Sequence, residues 1–99
     1  DLYVLDTRGT ILSNMPNRLS DSRNDFERLV ELSSSDTKQQ AKALLKLGRI
    51  CAKLNDVAQA KQHLKNALEI DRKIDVFTTE ERSEITGILQ RSGVQAVNK

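Results

Sequence analysis

The 99-residue chain has no tryptophan, one cysteine, one proline, one histidine and three aromatic residues, Tyr3, Phe26 and Phe77. A lone Cys51 excludes an internal disulfide and a multi-cysteine zinc site, so neither device supports the fold. With so few aromatics the core must come from Leu, Ile, Val and Ala, which points to packed helices. No run approaches the ~20 apolar residues that span a bilayer, and the N-terminal residues lack the order of a signal peptide. The chain reads as a soluble, cytoplasmic, all-α domain. A solitary His63 and the lack of any nucleophile in a strand-turn-helix setting argue against an enzyme, and no residue pattern implies a cofactor or metal.

Charge is present in quantity but unevenly placed. The net charge is +2. Residues 1–36 hold four Arg against seven acids, residues 37–74 hold nine Lys/Arg against three acids, and residues 75–99 hold three against four. The basic middle can attract an anionic ligand. A nucleic-acid ligand fits it less well, because the surplus is small and no aromatic residue interleaves with it.

Along the chain, Leu2–Leu5 and Thr10–Leu12 are short β-prone runs around Asp6-Thr7-Arg8-Gly9, so residues 1–13 are expected to form a β-hairpin or the remnant of a preceding domain. Val4-Leu5-Asp6 with Gly9 and Ile11 resembles the strand-turn-strand opening of sensor domains and propeller blades. Residues 14–21 read as a linker, with Pro16 forcing Met15 out of helical angles. Phe26, Leu29 and Val30 predict a helix over about 22–33, capped by Asp21 or Ser22. Asp36 with Gln39 opens a helix over about 37–54, whose apolar face is Ala41, Leu44, Leu47, Gly48, Cys51, Ala52 and Leu54. After Asn55-Asp56, residues Val57, Ala60, Leu64, Ala67 and Leu68 predict an antiparallel return running to about Ile74. A Thr78/Glu81 capping box opens a last helix that buries Ile85, Ile88 and Leu89 and stops at Gly93, leaving a frayed tail over 92–99.

Residues 41–74 resemble a tetratricopeptide repeat, a two-helix unit of about 34 residues. Leu44, Leu47-Gly48, Cys51, Ala60, Leu64 and Ala67 fill the family's large, large-small, bulky, small, large and small places in order. The resemblance implies an antiparallel stack of about four helices over 22–91. It also implies a protein-protein interaction module, with a groove along the helix at 37–54 lined by Lys42, Leu45, Arg49, Ala52 and Lys53. Independently, Lys38, Lys42, Lys46, Arg49 and Lys53 recur at three- and four-residue spacing, which puts them on one helix face. The expected partner is therefore an acidic peptide or helix held by a scaffold or adaptor module. A regulatory or oligomerisation segment of a larger signalling protein is the alternative, with a homodimer as its simplest form.

Overall fold

The computed structural model describes residues 2–97, and the side chains of residues 2–91. Among these residues five α-helices follow one another: α1 Leu2–Leu12, α2 Leu19–Leu32, α3 Thr37–Lys53, α4 Val57–Ile74 and α5 Thr79–Val97. A single 3₁₀ turn, Pro16–Arg18, joins α1 to α2. No strand occurs among the described residues. Each helix packs on its neighbour in the chain, giving two helical hairpins, α1–α2 and α3–α4, with α5 against the second.

The expected β-hairpin is thus a helix, and the stack has one helix more than the sequence indicated. Gly9 makes no turn; it is a buried helical residue, and a Cβ there would lie 2.7 Å from Cε1 of Phe26 on α2. Arg8 donates from Nε and Nη2 to the two carboxylate oxygens of Asp25, both at 2.8 Å, and buried Ser22 donates from Oγ to the Gly9 carbonyl at 2.7 Å. These contacts across seventeen and thirteen residues hold α1 against α2. They override the β preference of Val4 and Ile11, a weak signal wherever packing supplies a competing partner. Residues read as linker also belong to the fold, because α2 begins at Leu19. Ser22 is consequently no cap but an internal hydrogen-bond donor, while Met15 before Pro16 is extended (φ −111°, ψ 110°), as its neighbour requires.

The second hairpin has its predicted limits. Asp36 caps α3 by accepting from the Gln39 amide at 3.1 Å, and Asp56 caps α4 by accepting from the Gln59 amide at 3.3 Å. Asn55 between the two helices takes a left-handed φ of 62°. The close approach expected at Gly48 is present, since a Cβ there would lie 2.6 Å from Cγ of Leu64. Ala60 and Ala67 are fully enclosed on the same interface.

At α5 the capping box is reciprocal, the Thr78 amide donating to Glu81 at 2.9 Å and the Glu81 amide to Thr78 Oγ1 at 3.1 Å. The helix passes Gly93 and continues to Val97, so a glycine stop is not used; Asn98 and Lys99 of the expected tail lie outside the described residues, as does Asp1 of the expected hairpin.

Two apolar clusters share α3. Ala41, Leu44 and Leu45 cluster with Leu64 and Ala67 of α4, Ile85 and Ile88 of α5 and Phe77 between them, whereas Ala43, Leu47, Ile50 and Cys51 meet Phe26, Leu29 and Ala60. Burying α3 on two sides leaves only its charged stripe for other uses.

Candidate interaction groove

That stripe lies between α1 and α5. Lys46 near the middle of α3 pairs with Asp6 of α1, and Lys53 at its end donates from Nζ to the Ser13 carbonyl at 3.2 Å. On the other side Arg49 donates to Glu84 of α5 through both Nε (2.7 Å) and Nη2 (2.8 Å), a forked geometry that fixes the guanidinium plane. The hydrogen bonds from Arg49 hold the Glu84 carboxyl below its ordinary pKa. Lys38 and Lys42, nearer the start of α3, are exposed, with no ion pair among the described residues.

Between α1 and α3 the surface dips into a pocket of about 240 Å³. Its wall is Thr10 and Ser13 from α1 and the following turn, its apolar part is Phe26 and Ile50, and its remaining lining is Lys46, Arg49 and Lys53. Three basic residues line this space and, among the described residues, no carboxylate does. Phe26 and Ile50 are nearly inaccessible at 2% and 1% exposure, so they form a rigid floor.

The residues expected along the groove are not all there. The five cations share the stripe as their spacing requires, and Ala52 is half-buried against both clusters. Leu45 is a correction: at 2% exposure it belongs to the core with Phe77 and Ile85 and offers nothing to a ligand. It turns inward because α5 covers that side of α3. The contributions of Asp6, Thr10, Ser13 and Glu84 were not legible in the sequence, since the first three follow from α1 being a helix and the last from where α5 lies.

Two further reactive side chains, Cys51 and His63, lie outside this pocket. Cys51 is a free thiol at 1% exposure, its pKa raised by burial, and it packs at the bulky place of the repeat. His63 on α4 is half-buried, which lowers its pKa. Among the described residues no group of three or more His, Cys, Asp or Glu side chains could hold a metal ion. No helix is long and apolar enough to cross a membrane, again among the described residues.

Asp71 joins α4 to α5. It accepts from Arg82 Nε at 2.6 Å and from the Val76 and Phe77 amides, each at 2.8 Å. These bonds, led by that from Arg82, hold its carboxyl down at about 2 despite the opposing effect of burial. Arg82 also pairs with Asp75, the left-handed residue (φ 55°) that ends α4. The latch fixes the angle at which α5 leaves α4 and therefore where Glu84 meets Arg49.

Comparison with known proteins agrees with this geometry in one region. Neither a curated protein nor a solved structure gives a significant match to the chain. The family model described as tetratricopeptide repeat matches residues 41–74. Those residues are α4 and all but the first turn of α3, the hairpin closed by Gly48 against Leu64. Residues 41–74 of this chain are a tetratricopeptide repeat.

Proposed function

We propose that the chain is a non-catalytic interaction module that holds an acidic peptide or helix along the charged side of α3, between α1 and α5. A repeat of this family suggests protein-protein interaction in general. The acidic partner is argued from one observation: Lys38, Lys42, Lys46, Arg49 and Lys53 share the only side of α3 not packed into a core cluster. Lys46 and Arg49 already pair with Asp6 and Glu84, while Lys38, Lys42 and Lys53 have no carboxylate partner among the described residues, so a bound carboxylate would offset the remaining repulsion, roughly a few tenths of a kcal/mol per pair. A role as a cytoplasmic scaffold or adaptor follows from this reading. The test is Lys38→Glu with Lys42→Glu, which disturbs no internal ion pair. A fluorescently labelled glutamate-rich peptide should bind the parent chain and not the variant, at equal helicity; equal affinity would reject the groove.

A second reading, an oligomerisation segment of a larger protein, has its own support. Val4 and Ile11 precede and follow Gly9 by the same steps that separate Ala43 and Ile50 from Gly48. Ala43 and Ile50 are buried against α2, yet Val4 is 51% and Ile11 54% exposed. The outer side of α1 thus resembles a stacking face for another helical hairpin. Sedimentation equilibrium should show association of the parent chain that Val4→Lys with Ile11→Lys removes, and a monomer at every concentration would reject it.

A further inference from the structure

We infer that the pocket between α1 and α3 receives a phosphorylated side chain of the partner. The inference rests on the groove reading and narrows it to a ligand class. Three cationic side chains converge on one pocket, and the carboxylates that two of them pair with, Asp6 and Glu84, do not line it.

None of the internal bonds has to break for an anion to enter. Arg49 uses Nε and Nη2 for Glu84, and Nη1 has no hydrogen-bond partner among the described residues. Lys46 and Lys53 each spend one ammonium hydrogen, on Asp6 and on the Ser13 carbonyl, and keep others. The acceptor best matched to three separate donor groups is one with three oxygens at one centre. A phosphoryl group meets that requirement with a charge of about −1.5 to −2, whereas a carboxylate has one fewer oxygen and about half the charge.

The remaining lining agrees. The Thr10 hydroxyl donates to the Asp6 carbonyl at 2.8 Å and the Ser13 hydroxyl to the Thr10 carbonyl at 2.6 Å, so both are held as part of a fixed wall. Phe26 and Ile50 offer an apolar floor beneath the stem of the entering side chain. A pocket of about 240 Å³ holds one such side chain and leaves the rest of the segment on the stripe toward Lys42 and Lys38.

The test compares three labelled glutamate-rich peptides with phosphoserine, serine or glutamate at one central position. The parent chain should bind the phosphopeptide about tenfold more tightly than the other two, a difference of about 1.4 kcal/mol. Lys53→Ala should erase that preference while changing serine-peptide affinity much less. Equal affinity for all three peptides would overturn the pocket assignment, and if that shared binding is lost in the Lys38→Glu/Lys42→Glu variant the groove reading survives alone. Titration of the parent chain with inorganic phosphate at constant ionic strength covers the case in which no peptide binds. Amide shifts confined to Thr10, Ser13, Arg49 and Lys53 support the pocket without the groove, and shifts absent there overturn it.

Discussion

Arg49 on α3 and Glu84 on α5 face each other through two nearly equal hydrogen bonds, 2.7 and 2.8 Å long, across a surface where both side chains remain more than a third exposed. The bond sets the width of the groove on the α5 side, and an acidic partner meets an arginine that already holds a carboxylate.

Glu84→Gln should free the Arg49 charge for an incoming acid. Because the pair is exposed, the variant should lose no more than about 1 kcal/mol of stability. Affinity for a glutamate-rich peptide, read by fluorescence polarisation, should rise, and the increase should shrink at high salt as screening grows. A fall in affinity at equal helicity would mean that Glu84 helps to hold the partner.

Both hairpins depend on a glycine facing a large side chain, Gly9 on Phe26 and Gly48 on Leu64. Ala at position 48 puts a methyl inside the space of the Leu64 side chain, and Ala60→Leu crowds the same interface. Each should destabilise by about 1–3 kcal/mol. Gly9→Ala should cost less, since its methyl would meet the Phe26 ring at 2.7 Å, whereas at position 48 both Cγ of Leu64, at 2.6 Å, and the still nearer Cδ2 stand in the way. Urea unfolding of the three variants gives the order directly; an unaffected Gly48→Ala would show that the helices can part without cost.

Asp71 makes stability sensitive to acid. Its folded-state pKa of about 2 lies below the ordinary carboxylate value near 3.8, so its contribution is complete above about pH 4 and disappears as pH falls toward 2. Asp71→Asn should lower stability near neutrality and flatten the dependence of the midpoint on pH between about 4 and 2. Thermal unfolding of both chains across that range checks it. An equal slope in both would assign the acid sensitivity to other carboxylates, such as Glu84.

The sequence by itself determined the second hairpin. Its apolar residues recur at helical spacing, Asp36 stands where free amides need an acceptor, Asn55-Asp56 marks the turn, and the small residues Gly48, Ala60 and Ala67 fall where two helices touch. Each signal is local and agrees with the others, so the limits of α3 and α4 and the alignment of the five cations were legible. Periodicity could not show that α3 is buried on two sides. Ala43 and Ile50 read as outside the apolar face although Phe26 and Leu29 of α2 help to bury them, and Leu45, which the family resemblance placed in the groove, is buried with Phe77 and Ile85.

The tertiary structure alone decided α1. Leu2–Leu12 carries residues suited to either a strand or a helix, and a tight-turn reading of Gly9 is locally sound. The choice falls to the Arg8–Asp25 pair, the Ser22 bond to the Gly9 carbonyl and the Phe26 ring against Gly9, all contacts with a helix that local pattern cannot place. With α1 come Thr10 and Ser13, one wall of the pocket, and Asp6, the partner of Lys46. The cations were written into one helix, but the cavity they surround exists because two other segments fold against it.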